Sequence, residues 1–313
     1  RLVATAEAND VRAGLSDGSV DIVIGTHALL SKKISFDRLG LVIVDEEQHF
    51  GVIHKEQLKK LRAEVHMLTL TATPIPRTLQ MALTGVRDLS LIATPPVDRL
   101  AVRTYVAPFD AVSLREALLR EKYRTGQSFV IVPRISDIAE MATFLQEQVP
   151  EVKFVTAHGQ MAGGDLETRM NAFYDGSYDV LLSTSIIESG LDVPSANTII
   201  IHRADRFGLA QLYQMRGRVG RSKARAYAYL TYDEALGLSD NAEKRLKVMQ
   251  SLDSLGAGFN LASYDLDLRG AGNLVGEEQS GHIKEVGFEL YQQMLEEAVA
   301  EQQGVDVDDN WSP

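Results

Sequence analysis

Short runs of apolar and β-branched residues recur along the chain, separated for the most part by stretches with helical periodicity. That alternation confines the fold to parallel βαβ architecture, an α/β class. The candidate strands are Asp21–Gly25, Leu41–Asp45, Met67–Thr71, Ser128–Val132, Lys153–Thr156, Asp179–Ser183, Thr198–His202 and Ala226–Leu230. Between them lie amphipathic stretches at Asp110–Arg124, Asp137–Val149 and Leu166–Tyr174. A run such as Leu41-Val42-Ile43-Val44 is apolar at every position, which suits a sheet covered on both faces. The rhythm breaks at Ala93–Asp98, where adjacent Pro95 and Pro96 remove two backbone donors and disfavour a preceding helix, so an interdomain linker is expected there. After Thr231 the pattern turns helical. Asp240 or Asn241 is expected to cap a helix reaching about Leu255, with Gly256 and Gly258 ending it, followed by a second short helix and the loop Arg269–Gly272.

The length of 313 residues fits two domains and a small appendage, and 45% apolar with 24% charged residues is a globular composition. No apolar run approaches the roughly 18–20 residues that cross a bilayer. The start, Arg1-Leu2-Val3-Ala4, has no secretory pattern, and its opening on Arg reads as a piece of something longer. With no cysteine, disulfides and thiolate-bound zinc are excluded and a cytoplasmic location is expected. The seven histidines show no metal-ligand spacing. The net charge of −11 is uneven. Glu289–Pro313 holds seven acidic residues and no basic one, while Ile200–Ala226 holds seven Arg or Lys against one Asp. A basic strip therefore sits inside an acidic protein.

Four polar clusters follow strands. In Leu41–Gln48, Asp45 and Glu46 sit where α/β proteins keep ligands, at the carboxyl edge of a parallel sheet. There an Asp can hold Mg²⁺ on nucleotide phosphates while the next Glu polarises water; equally, two carboxylates can open a helix. Thr71-Ala72-Thr73 offers hydroxyls to those carboxylates, or forms a plain turn. Thr26, in Gly25-Thr26-His27, and Thr184, after Asp179–Ser183, can grip phosphate, and Gly190 and Asp192 form a tight turn able to face a nucleotide. The strongest segment is Gln211–Arg221, where Arg218 and Arg221 are interleaved with Gly217 and Gly220. Guanidinium is a planar fork matched to phosphate oxygens and keeps its charge. Carboxylates in one block and arginines in the next form the layout of a nucleotide clamped between two domains.

In this order the segments resemble the motifs of superfamily 2 helicases: Gly25–His27 motif Ib, Asp45–Gln48 motif II, Thr71–Thr73 motif III, Ser183–Asp192 motif V and Gln214–Arg221 motif VI. Thr69–Pro96, His158–Met161 and Phe207–Leu212 resemble the bacterial transcription-repair coupling factor family more narrowly. The resemblance implies two RecA-like parallel-sheet lobes and a helical hairpin. Residues 1–95 would be the later part of the first lobe, 96–235 the second lobe, 236–290 the translocation hairpin and 291–313 an acidic tail. It implies ATP and Mg²⁺ as cofactors, with Asp45 on the metal, Glu46 as base, Arg218 and Arg221 on the transferring phosphoryl group, and Gln214, Gly190 and Asp192 at the nucleotide. Thr26, Thr71, Thr73, Thr184, Arg245, Arg269 and Gln279 would contact DNA or couple hydrolysis to stepping. Double-stranded DNA, RNA polymerase and excision-repair proteins are the implied partners. Two departures stand out. No Walker A loop precedes Asp21, so the chain by itself is expected to lack ATP turnover, and Gln48 replaces the histidine that often ends motif II. A fork-remodelling helicase of the RecG type and a non-catalytic DNA- or partner-binding module are the rival readings. A dinucleotide oxidoreductase is disfavoured because no Gly-x-Gly-x-x-Gly follows any strand.

Overall fold

The computed structural model describes residues 5–31, 33–46, 50–62, 65–71, 90, 92, 100–184 and 193–251. The chain divides into two compact units, Arg1–Ala72 and Thr73–Pro313. The linker expected at Ala93–Asp98, the helix beyond Ser251 and the acidic tail fall outside the described residues.

The first unit runs α1 (Thr5–Asp17), a 3-10 turn (His27–Leu30), β1 (Leu41–Asp45), α2 (Val52–Arg62) and β2 (His66–Leu70). β1 and β2 pair in parallel with Leu41 opposite His66 and Asp45 opposite Leu70, so α2 is the crossover of a βαβ unit. Val44 and Leu58 are buried, but Leu41, Ile43, Leu68 and Leu70 share the other face of the ladder and are exposed. Among the described residues, this face of the pair has no cover. The strand expected at Asp21–Gly25 is also absent: the segment is irregular, with Ile22 and Ile24 exposed. A β-branched run becomes a strand only where a neighbour completes its hydrogen-bond ladder, and none of the described residues does so here.

The second unit holds β3 (Arg103–Pro108), α3 (Ala111–Tyr123), β4 (Gln127–Ile131), α4 (Asp137–Gln148), β5 (Phe154–Ala157), α5 (Gly163–Tyr174), β6 (Val180–Ser183), β7 (Ala196–Ile201), a 3-10 turn (Ala204–Arg206), α6 (Leu209–Arg216), β8 (Tyr227–Tyr232), a 3-10 turn (Glu234–Leu236) and α7 (Asp240–Ser251). Its strands form one sheet in the order β3-β8-β7-β4-β6-β5, parallel throughout. Because strand residues alternate between faces, Phe129, Ile131, Leu181, Ile199 and Ile201 pack with Phe173, Leu212, Met215, Leu246 and Met249 on one side. Val130, Val132, Val180, Leu182 and Ile200 pack with Leu114, Leu118, Met141 and Leu145 on the other. This is a doubly covered sheet, as its near-continuous apolar strands require.

Local signals fix the ends of the helices. Asp110 caps α3, accepting from the Ser113 amide at 2.9 Å, and hydrogen bonds from the Ser113 side chain and then from that amide hold its carboxyl below the usual carboxylate range. The cap of α7 is Ser239, not Asp240 or Asn241: its hydroxyl accepts from the Ala242 amide at 3.3 Å, and Asp240 sits in the first turn. β3 was missed in the sequence because Arg103, Thr104 and a closing Pro108 do not read as a core strand. It is an edge strand with Arg103, Tyr105 and Ala107 exposed, where proline is tolerated. Glu121 is almost wholly buried, which its partners permit: the Arg124 guanidinium bonds it at 3.0 Å, and the Thr198 hydroxyl donates to it. A Cβ at Gly126 would lie 1.8 Å from that carboxylate, so any larger residue there would displace Glu121 from its partners.

Two outcomes follow from this packing. His202, at the end of β7, lies edge-on to Phe109 at 5.1 Å, and burial pushes its imidazole below the usual histidine range. The unfolded chain binds that proton more readily, so His202 contributes fully above the ordinary value of about 6.5 and loses its contribution as pH falls through the lower folded value. Denaturant unfolding between pH 7.5 and pH 5 should show this decline, and His202→Gln should flatten part of it. Gly220 has φ of +75°, and a Cβ there would lie 3.0 Å from Val102 Cγ2 and 3.2 Å from Ala226 Cβ. Gly220→Ala is expected to lower the unfolding free energy by roughly 1–3 kcal/mol, through backbone strain and a clash in a packed turn, with an unchanged denaturant slope.

Candidate functional site

In the first unit the parallel register sets Asp45 opposite Leu70, so the residues after both strands emerge at one edge. Glu46 follows β1 in the left-handed region with φ of 51°, and its amide donates to the Leu70 carbonyl at 2.9 Å. A non-glycine residue held there stores strain of about 1–3 kcal/mol, tolerated where the surroundings fix it. The surroundings include Thr71, whose hydroxyl donates to the Glu46 carboxylate at 3.0 Å. Asp45 is exposed beside them. The cluster thus presents one open carboxylate and one that is aimed by a hydroxyl. Hard oxygen donors of this kind suit Mg²⁺ that arrives on phosphates and keeps few protein ligands. Among the described residues no group of three or more His, Cys, Asp or Glu is arranged to hold a metal by itself.

Thr26 stands at the head of the 3-10 turn, where its hydroxyl accepts from the Ala28 amide at 3.4 Å. His27 is exposed, its ring 4.8 Å from that of His54 on α2. The turn is therefore tied to the crossover helix of the same βαβ unit.

In the second unit, the chain leaves β4 toward β5 and leaves β7 toward β8, on opposite sides of the adjacent β4–β7 pair. Open α/β sheets bind ligands at such a switch point, beyond the carboxyl ends of the strands. Residues 133–136 follow β4, and His202 and Arg203 follow β7. Thr184 emerges at the same edge after β6, half-buried. Arg203 adopts a left-handed backbone (φ 52°), which no pattern in the sequence announces.

Arg218 and Arg221 lie just beyond the carboxyl end of α6. The helix tightens as it closes: the Gly217 amide reaches the Tyr213 carbonyl at 2.9 Å and the Arg218 amide reaches that of Met215 at 3.0 Å. Val219, fully buried between the two arginines, pins the turn into the core. Arg221 is exposed, with its Nε donating to the Gly217 carbonyl at 3.3 Å, and Arg218 is half-buried. Gln214, one turn back on α6, is also half-buried. Two guanidiniums are thus held on a turn at the amino edge of the sheet, where Gly220 packs against Val102 and Ala226 just ahead of β3 and β8 and the Ser222 hydroxyl donates to Asn197 at the start of β7 at 2.8 Å.

The basic strip is not uniformly solvated. Arg206, Arg221, Lys223 and Arg225 are exposed, but Arg216 is only 6% exposed and belongs to the interior. Arg245 is half-buried on α7, its Nη2 donating to the Asp205 carbonyl at 2.9 Å. Thr73, Gly190, Asp192, Arg269 and Gln279 lie outside the described residues, as do Glu47 and Gln48.

Comparison with known proteins follows this geometry. Residues 2–82 match the DEAD/DEAH box helicase family, and residues 111–223 match the helicase conserved C-terminal domain. The transcription-repair-coupling factor of Rickettsia prowazekii is 54% identical over 96% of this chain and 27% of its own length. That of Escherichia coli is 52% identical over 96% of this chain and 26% of its own. The chain therefore spans about a quarter of the curated relatives it matches. Among solved structures, RecG bound to a three-way DNA junction superposes with a TM-score of 0.69 at 35% identity, covering 94% of this chain and 38% of that one. The Saccharomyces cerevisiae Dbp5 bound to RNA, at 15% identity and a TM-score of 0.53, covers 77% of this chain and 66% of its own and shares the fold. The chain thus carries a DEAD/DEAH box helicase match followed by a helicase C-terminal match, and along nearly its whole length it is similar to the transcription-repair-coupling factors.

Proposed function

We propose that this chain is the engine of an ATP-driven double-stranded DNA translocase, and that the complete protein displaces stalled RNA polymerase and brings in nucleotide excision repair. The observation that carries the proposal is that each unit, taken by itself, holds a preorganised polar cluster. One is the Thr71-oriented Glu46 beside Asp45; the other is the arginine pair pinned behind α6. The domain assignment follows the resemblance: residues 1–95 in the first lobe, 96–235 in the second, 236–290 as the translocation hairpin and 291–313 as tail.

In this reading Asp45 holds Mg²⁺ on the nucleotide phosphates. Bound Mg²⁺ neutralises phosphate charge in phosphoryl transfer. Glu46, its carboxylate fixed by Thr71, orients the attacking water and accepts its proton. Arg218 and Arg221 stabilise charge on the transferring phosphoryl oxygens, and Gln214, Gly190 and Asp192 contact the nucleotide. Thr26, Thr184 and the exposed basic residues grip DNA phosphates, which makes binding independent of sequence and sensitive to salt. Thr73, Arg245, Arg269 and Gln279 relay hydrolysis to stepping. No Gly-x-x-x-x-Gly-Lys loop occurs in these 313 residues, so the phosphate cradle is supplied by further chain of the complete protein. A fork-remodelling activity is the second reading, favoured by the extent of the RecG match. Fork unwinding measured against polymerase displacement by the complete protein separates the two.

In the complete protein, Glu46→Gln and Arg221→Ala are each expected to reduce DNA-stimulated ATP hydrolysis by roughly 10²–10⁵-fold while leaving duplex binding measurable. Hydrolysis within about threefold of the parent in both variants would remove these residues from the reaction. The 313-residue chain alone is expected to show no DNA-stimulated hydrolysis, and robust turnover by it would place the nucleotide site elsewhere.

A further inference from the structure

Strands β3 and β8 present two unlike faces. On one, Val106, Ala228 and Leu230 share a core cluster with Leu246 and Met249 of α7. Alternation along the strands sends Arg103, Tyr105 and Ala107 of β3 to the opposite face, beside Tyr227 and Tyr229 of β8, and all three β3 residues are exposed. Tyr105 and Tyr229 stack there, with ring centroids 5.3 Å apart and planes 21° from parallel, and Tyr105 keeps 42% of its surface exposed. The Arg120 guanidinium of α3 lies 4.2 Å from the Tyr227 ring centroid and donates to the Tyr229 hydroxyl. Tyr123, 74% exposed on the same helix, lines a shallow depression with Leu119, Arg120 and Arg124.

The cations of α3 and its end fall into two groups. Arg115 bonds Glu151 at 2.8 Å, Lys122 bonds Asp179 at 2.8 Å and Arg124 bonds Glu121 at 3.0 Å, so each of these meets a carboxylate. Arg120 meets aromatic rings instead, and among the described residues neither it nor Arg103 has a carboxylate within ion-pair distance. Cation–π attraction fixes a guanidinium against a ring without neutralising it. The face therefore combines uncompensated positive charge with ring surfaces, and β3 and β8 add no large aliphatic side chain to it. Tyr and Arg also dominate protein hot spots, but those lie in desolvated pockets, whereas this face lies open on a sheet. Phosphates suit the arginines, and every base has a π-face for the rings. A duplex keeps its base faces inside the stack, so rings on a sheet select unpaired strands.

We infer that the open face of β3 and β8, flanked by α3, binds an unpaired polynucleotide, with a base stacked on Tyr105 and phosphates on Arg103 and Arg120. Tyr123, one turn beyond Arg120, extends the platform. Stacking of this kind is tolerant of sequence. The motor reading uses groups that follow the strands and helices, whereas this site uses a sheet face; the inference goes beyond that reading and stands apart from it.

The test uses the complete protein without nucleotide and with unlabelled duplex DNA in excess, so that any grip on duplex is already filled. Fluorescent oligo(U) and oligo(dT) of about 12 nucleotides are titrated and their anisotropy is read. The parent should bind, Tyr105→Ala should weaken binding by about tenfold or more, and Tyr105→Trp should stay within about threefold of the parent. Arg103→Gln should weaken binding and reduce the slope of log affinity against log salt by about 0.7, the loss of one phosphate contact. Unfolding midpoints of the three variants should match the parent within about 2 °C, since the altered side chains are exposed. Tighter binding of either oligomer supports the site and identifies the strand as RNA or DNA. No binding by the parent, equal binding by Tyr105→Ala, or a Trp variant as weak as the Ala variant overturns the inference. Poly-glutamate of matched charge that displaces the oligomers as well as unlabelled oligo(U) does also overturns it, because the face then serves an acidic polypeptide without stacking.

Discussion

A parallel sheet has two unlike edges, and every loop that follows a strand opens on the same one. That constraint organises this molecule. In the second unit all six strands run the same way, so Thr184, His202 and Arg203 are delivered to one side without any local signal directing them there, while the turn behind α6, which leads into β8, is carried to the other. In the first unit the same rule places Glu46 and Thr71 within hydrogen-bond reach although 25 residues separate them. The chemistry is held by topology first and by side-chain bonds second.

Much of this was legible because apolar continuity is a strong signal. β1 appears in the structure with the bounds its sequence suggested, and β4, β6 and β7 differ from expectation by one or two residues at their ends. The failures have physical causes. Asp21–Gly25 has strand composition, but composition cannot supply a neighbour. Arg103–Pro108 looks polar because only one of its faces is covered. Ser239 was passed over as a cap for the residues just after it, a shift of one that propensity alone does not resolve.

The site was legible in part for a related reason. Carboxylates after a strand and glycine-laced arginines are local patterns, and both stand at sheet edges in the structure. Burial is not a local pattern. Arg216 looks like its neighbours in a basic strip, and only tertiary packing reveals that it points into a second helix. The left-handed backbones of Glu46 and Arg203 are likewise products of their surroundings, since neither residue type favours that conformation.

The open face of the first unit has a practical consequence. Four aliphatic side chains, Leu41, Ile43, Leu68 and Leu70, stand on a ladder of only two described strands. Pairs of that size are marginal in water, and greasy ladders left uncovered adhere to one another. Such a ladder gains stability when further strands or a helix cover it, so the first unit is expected to aggregate more readily than the doubly covered second when the two are produced apart.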